Sequence, residues 1–525
     1  MTHQNTRDDN RLWHVALAVV FLLGLALTFV RTVNLDVAWF LHTSEMMLDG
    51  KTIYTDMLET NPPLIMFWTV PPVWVARVLG CSSIWTFNVY MFGHILLSFV
   101  ICRRATRVLF GADAAGARRC FDLVVAWVLW LAWPRESYSF GQREHLFLVL
   151  TTPYFLWTAA RAAGHRPTGC TRWLTAVMGG VGFMVKPYFV LAWVATEAWL
   201  AWVARTPRSV YRAENLVVAG IGVVYAVAVF LLCPQYVALV PVLMATYPAY
   251  EMPILWIILS RPTVVFVLLA VPAAIAAGRG RPYASLRGVL AAATFGMLAA
   301  ALVQMKGFTS HMVPPSGAVT LLLTATAVAL FVAPAALASR LDRRLVRRLA
   351  MVALAALCLM EVRSSVLVRT HDNWSDFARL VTLTRAEAAG EPIAALSSAP
   401  DPAFPLVNYT DTTWGMRFSM LWPLPACYAD APRDDNGNTV YHRHDEMSDT
   451  ERWMFDAVIE DLERSRPKLI LVECAHLKLG FVFVPFDFVD YFSTDARFRK
   501  LWTRYRYLDR FTDEFHTVEV YRRVD

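Results

Sequence analysis

The sequence predicts a polytopic α-helical membrane protein, with about eleven transmembrane helices in residues 1–362 and a soluble α/β domain in residues 363–525. Three observations predict it. The 525-residue chain is 57% hydrophobic and 17% charged, with a mean hydropathy of +0.42, whereas a soluble domain is nearer half apolar and a quarter charged. The apolar residues gather in long runs separated by short Arg-rich connections, which is the pattern of membrane spans. Beyond those runs the composition turns polar, and short strand-like and helix-like periods take over. The 19 Trp and 31 Phe suit a protein with much surface at membrane interfaces.

The first run, "LWHVALAVVFLLGLALTFV", is about long enough to span and lacks a clean small-residue cleavage site, so it reads as a retained helix near 12–31 and not a removed signal. Further spans are predicted near 83–101, 120–133, 146–161, 173–185, 188–204, 215–233, 262–277, 287–304, 313–337 and 348–362. The stretch 64–79, "LIMFWTVPPVWVARVL", is apolar but carries Pro71-Pro72 at its middle, and a proline pair removes backbone donors and kinks a helix. Charge decides how to count it. With 64–79 lying along the interface, the connections "CRRATRVLFGADAAGARR", "RAAGHRPTGCTR", "RTPRSVYR", "GRGRPYASLR" and "SRLDRRLVRR" all fall on one side. Counted as a span, it would put the first of them opposite the others. The positive-inside rule therefore predicts a cytoplasmic N-terminus and an external C-terminus.

The same distribution disposes of the net charge of +7 as a sign of nucleic-acid binding, because the Arg residues mark topology and form no phosphate-binding face. The eight cysteines show no CxxC and no metal-ligand spacing. Only Cys427 and Cys474 share a polar region, where an extracytoplasmic location would allow them to pair. In the tail, "EPIAAL", "PKLILVE" and "HTVEVYRR" read as strands, "DTERWMFDAVIEDLERS" as an amphipathic helix and 428–446 as a loop.

The external side collects the polar residues that topology does not explain: segment 32–82, "PRESYSFGQREH", Lys186-Pro187, "PQYVALVPVLMATYPAYEMP" and "QMKGFTSHMVPP". Segment 34–64 carries Asp36, Glu45, Asp49, Asp56 and Glu59 against Lys51 alone and ends in Asn61-Pro62-Pro63. "FLHTSEMMLDGKTIYTD" predicts a short helix ending at Asp49-Gly50, so the loop is structured, and long structured loops usually carry function. Asp36 reads either as a solvated interfacial carboxylate or as a working one. Glu144, between Arg143 and His145, reads as a helix-start charge or as a functional group, since adjacent ionisable residues at a membrane boundary are costly. Glu136 lies in the same loop. Lys186 can snorkel to the interface or face a lipid phosphate, and Lys306 with His311 repeats the pattern.

An Asp just after the first span, a helix ending in "LDGKTIYTD", then E-x-NPPL and an apolar stretch ending at Leu79-Gly80 together resemble the first external loop of the GT-C glycosyltransferases. These are membrane enzymes that use polyprenyl-phosphate-linked sugars, among them protein O-mannosyltransferases and aminoarabinose transferases. The resemblance implies that 64–79 is a juxtamembrane helix and that Asp36 is a catalytic base or acceptor-orienting carboxylate. It also implies that Glu144 is the second acidic residue. It further implies that the K-G-aromatic-x-x-H-x-x-P sequence holding Lys306 and His311 lines a donor cavity, with Lys186 and Arg143 adding positive charge for the lipid phosphate. Asp56, Glu59 and Asn61 would belong to the acceptor-side wall.

Many relatives have Asp-Glu where this chain has Asp36-Val37, so a second carboxylate must come from elsewhere or be absent. Some relatives bind a divalent metal ion; Asp36 and Glu144 could hold one, and nothing in their spacing demands it. The implied reaction moves a sugar to a hydroxyl of a lipid, glycan or protein on the extracytoplasmic face of a bacterial inner membrane. In the tail, "FPLVN", "RFSMLW" and "RYRYLDRF" are the candidate functional stretches. The rival readings are a transporter or flippase of lipid-linked sugars, which would need charges deep in the spans, a polysaccharide polymerase or ligase, and a membrane-anchored sensor.

Overall fold

The computed structural model describes residues 2–130, 137–277, 282–332, 375–435, 437–481, 484–512 and 517–524. The predicted span 348–362, the ends of 120–133 and 313–337, and Glu136 lie outside them. The chain falls into two compact units. One comprises Met1–Arg31, Phe87–Ala228 and Met252–Leu367; the other comprises Thr32–Thr86, Val229–Glu251 and Val368–Asp525.

The protein is an integral membrane protein. Among the described residues six helices are long and apolar enough to cross a bilayer: Arg11–Val30, Ser83–Phe110, Pro187–Ala204, Ala213–Leu232, Ala284–Leu302 and Thr309–Leu330. Counting Pro234–Tyr250 and Ile254–Ser260 as one broken span makes seven. The other expected spans within the described residues are helical too, in Ala115–Leu129, Arg143–Ala162, Gly169–Met184 and Pro262–Ala277, but they are shorter or more polar than a lone span requires. Helix Leu64–Leu79 has 16 residues with both prolines inside it, short of the ~20 a span needs.

In the first unit, helix Arg143–Ala162 lies at the centre, with its side chains buried from Arg143 to Ala160. It packs against Gly169–Met184 and Ala284–Leu302, and the latter also packs against Val190–Ala204. Small residues allow these close approaches. A Cβ on Gly296 would stand 2.6 Å from Ala192 Cα and 2.7 Å from Leu191 O. By contrast, Ala213–Leu232 exposes Val223, Val224, Phe230, Leu231 and Leu232, an apolar face suited to lipid.

The second unit joins the first-loop helices to a mixed sheet. The strands are β1 (Pro392–Leu396), β2 (Thr413–Trp414), β3 (Leu469–Glu473), β4 (Tyr505–Thr512) and β5 (Thr517–Arg523), in the order β2-β1-β3-β5-β4. β1 is parallel to β2 and β3, while β5 is antiparallel to β3 and β4. β1, β3 and β5 are the three strands expected from sequence. "RYRYLDRF" supplies the edge strand β4. The expected helix is Asp449–Ser465; its N-cap Ser448 accepts from Glu451 N, and its buried stripe includes Met454, Phe455, Val458, Ile459 and Leu462.

The segment read as a loop at 234–253 instead forms helix Pro234–Thr246. Pro234 stands at its first turn, where a missing N–H costs nothing, and the apolar side chains that follow sustain it. Cys427 and Cys474 are free thiols.

Candidate functional site

The acidic first loop folds around its own carboxylates. Helix Leu35–Leu48 starts at Asn34, whose Oδ1 accepts the Asp36 N–H at 2.9 Å. The cap is thereby satisfied by the asparagine, and half-buried Asp36 sits in the first turn, where the helix dipole favours a carboxylate. Glu59 is buried and accepts from Trp39 Nε1 at 2.5 Å and from Asn61 N and Nδ2 at 2.8 and 2.5 Å. Tyr54 donates to Asn61 O at 2.6 Å. Asp56 Oδ2 accepts Thr52 N–H at 2.8 Å in an exposed turn. In these contacts Asp56, Glu59 and Asn61 bond to the loop's own residues and shape the approach to Pro62-Pro63.

In the first unit, the structure brings together three residues far apart in sequence. Helix Arg143–Ala162 begins after Gln142 and places Glu144 in its first turn. Lys186 is extended, as a residue before proline must be, between helix Gly169–Met184 and the turn Pro187–Phe189. His311 lies in the turn Thr309–Met312, after Gly307 at φ 60°. Lys186 Nζ donates to Glu144 Oε1 at 2.9 Å and to His311 Nε2 at 3.1 Å. His311 Nε2 is 3.8 Å from Glu144 Oε1. Accepting from the ammonium leaves the ring hydrogen of His311 on Nδ1.

Glu144, Lys186 and His311 are 1%, 8% and 5% exposed. Among the described residues, Glu144 Oε2 and His311 Nδ1 are buried with no hydrogen-bond partner. A buried ion pair costs several kcal/mol of desolvation per ion, which its geometry must offset, and orphaned buried polar atoms in a native fold call for an explanation. Arg143, adjacent in sequence, acts electrostatically on both Glu144 and His311. Lys306 shares the His311 loop, with its Nζ 6.0 Å from the Phe308 ring centre. His145 has a local role: Nδ1 accepts Gly141 N–H at 2.9 Å, and Nε2 bonds Leu129 O at 2.8 Å. Among the described residues no group of three or more His, Cys, Asp or Glu is placed to hold a metal ion.

Sequence reasoning missed a second buried network in the same unit. Arg212 donates through both terminal nitrogens to Glu197, at 2.5 Å each, and to Tyr154 OH at 2.9 Å. Tyr154 donates to Glu197 Oε1 at 2.7 Å, and Trp193 Nε1 donates to Asn215 Oδ1 at 2.6 Å. Nearby, Glu214 takes Arg161 at 2.6 Å and Arg172 at 3.2 Å, and Asp122 accepts Thr106 Oγ1 at 2.6 Å. The predicted span 188–204 therefore carries a buried carboxylate, paired with Arg212. The available signal was Glu197 standing alone in the apolar run "VLAWVATEAWLAWVA".

The fold of the chain is similar to that of two solved structures of one membrane protein. The chain matches the crystal structure of ArnT from Cupriavidus metallidurans bound to undecaprenyl phosphate at a TM-score of 0.58 and 13% identity, over 97% of each chain. It matches the apo state of that protein at 0.58 and 12% identity, over 98% of each. At such identity the likeness establishes the fold. No protein-family model matches the chain, and no curated protein matches it by sequence.

Proposed function

We propose that this protein is a membrane glycosyltransferase that moves a sugar from a polyprenyl-phosphate-linked donor to a hydroxyl of a lipid, glycan or protein on the extracytoplasmic face. The observation that carries this reading is the buried Glu144–Lys186–His311 cluster in a chain with the ArnT fold. One ArnT structure is bound to undecaprenyl phosphate, and a lipid phosphate is the ligand whose charge and oxygens such a cluster suits. Lys186 supplies an ammonium, and the His311 Nδ1–H is a donor still to be used. Glu144 holds Lys186 in place. Arg143 and Lys306 add positive charge for the phosphate that departs as the sugar–phosphate bond breaks.

Asp36 accepts the proton of the attacking acceptor hydroxyl, and a single displacement inverts the anomeric centre. The Arg distribution supports about eleven spans with a cytoplasmic N-terminus, a membrane module over 1–362 and an extracytoplasmic α/β domain over 363–525, in a bacterial inner membrane. The flippase alternative gains nothing from Glu197, because Arg212 occupies both of its oxygens.

The test is transfer from radiolabelled polyprenyl-phosphate-linked sugars in membranes containing matched amounts of wild type, Asp36→Asn or Lys186→Met. Transfer by wild type that both variants lose supports the reading. Full transfer by Asp36→Asn refutes the proposed base.

A further inference from the structure

The tail grips the helix that carries Asp36. Tyr409 OH accepts the N–H of Val33 at 3.0 Å, just before the helix. Asn408 Nδ2 donates to the carbonyl of Ala38 at 3.0 Å, one turn into it. Phe404 packs edge-on against Trp39, with ring centres 4.9 Å apart, and lies 5.6 Å from His42. The gripping segment is itself anchored. Arg385 donates to the Tyr409 carbonyl at 2.6 Å through Nη2, and Phe377 meets the Tyr409 ring at 6.2 Å. A second tie joins the same loop to the tail, where Leu58 N donates to Arg417 O at 2.6 Å. Arg417 in turn is held by buried Asp461, with Nη2 and Oδ1 3.0 Å apart.

Helix first turns lack intrahelical partners for their N–H groups and fray readily. This one is pinned on both sides of Asp36, from residues hundreds of positions later in the chain. We infer that Asn408 and Tyr409 are positioning residues that set the place and direction of the Asp36 carboxylate. The inference rests on Asp36 being the working carboxylate. It gives the tail a part in catalysis, since a shift of about 1 Å in a reacting group can cost roughly 100-fold in rate.

Three substitutions test it in the full-length protein, using the same membranes and labelled polyprenyl-phosphate-linked sugars. Tyr409→Phe deletes only the hydroxyl that receives Val33. Asn408→Ala deletes the donor to Ala38. Asn408→Asp keeps the side-chain size but sets a carboxylate oxygen against a carbonyl. Transfer is expected to fall about 10- to 100-fold in kcat for the Asn408 variants and for the Tyr409→Phe/Asn408→Ala pair, with donor KM within about threefold. Hydrogen exchange of peptides covering 33–42 is expected to quicken in the same variants.

A space-filling role would leave Asn408→Asp near wild type, and that result overturns the inference. So does unchanged exchange over 33–42, or a full rate in the paired variant while Asp36→Asn is inactive. Full activity in Asp36→Asn, or no transfer by wild type from any donor, instead sinks the functional reading and the positioning role with it.

Discussion

Replacing Arg212 by alanine strands Glu197. Glu197 is 5% exposed, and both its oxygens accept from the one guanidinium at 2.5 Å, so the loss leaves, among the described residues, only the Tyr154 hydroxyl on Oε1 at 2.7 Å. At an effective dielectric of about 20, a charge pair near 4 Å is worth about 4 kcal/mol. Removing one partner of such a buried pair costs about 3–5 kcal/mol, because the remaining charge stays out of water. Tyr154 OH loses the Arg212 N–H it accepts at 2.9 Å but keeps Glu197 Oε1 as its acceptor at 2.7 Å. At roughly 2–4 °C per kcal/mol, Arg212→Ala should lower the thermal midpoint in detergent by about 6–20 °C. Replacing both partners, Glu197→Leu with Arg212→Met, should recover most of that loss, since apolar pairs of similar volume are tolerated where half a pair is not. Tryptophan fluorescence during heating reads the transition. A midpoint within about 2 °C of wild type for Arg212→Ala, or a double variant as unstable as the single, would refute the argument that this network staples the bundle.

Three further predictions use other parts of the molecule. Gly296→Ala should cost about 1–3 kcal/mol, because its Cβ would meet backbone of Leu191 and Ala192 that cannot swing away, whereas Gly220→Ala, with open space around it, should be neutral in the same melt. Glu59→Gln should cost about 1–3 kcal/mol, the scale of hydrogen bonds to a charged group, and should speed limited proteolysis of the loop at Asn61; an unchanged cleavage rate would contradict its role there. Burial raises the Asp495 carboxyl, but hydrogen bonds from Arg497 outweigh that and hold it below the ordinary 3.8. Its stabilising contribution is thus present above that pH and lost as pH falls below it. Asp495→Asn should therefore melt below wild type at neutral pH, with the gap closing under acid; a gap constant from neutral pH to about pH 3 would contradict the depressed carboxyl.

Much of the architecture was legible because membrane helices announce themselves locally. A run such as "LWHVALAVVFLLGLALTFV" needs no partner to be recognised. The strands β1 and β3 were equally plain as short apolar runs flanked by polar residues. Segment 234–253 was placed among the external connections, yet most of it is helix Pro234–Thr246, with Pro234 where a helix accepts one. Arg212 misled differently. In the sequence it is one more topological arginine, and only folding shows that it is drawn 8% exposed onto Glu197.

Within the candidate site, Glu144, Lys186 and His311 were each legible as charges stationed at a membrane boundary. Their meeting was not, because they lie 42 and 125 residues apart along the chain. Asp36 was visible as a carboxylate following the first span, while the grip on its helix by Asn408 and Tyr409 was invisible, being made by residues 370 and 376 positions from the groups they hold. What the sequence alone determined is which segments are apolar enough to enter a bilayer and which ionisable groups stand out between them. These follow from hydrophobicity and charge summed over neighbours in the chain. What the tertiary structure decided is which of those charges are paired with one another and which carboxylates build the loop. Pairing requires atoms within about 3 Å, and that proximity is created by packing between elements, which local composition does not encode.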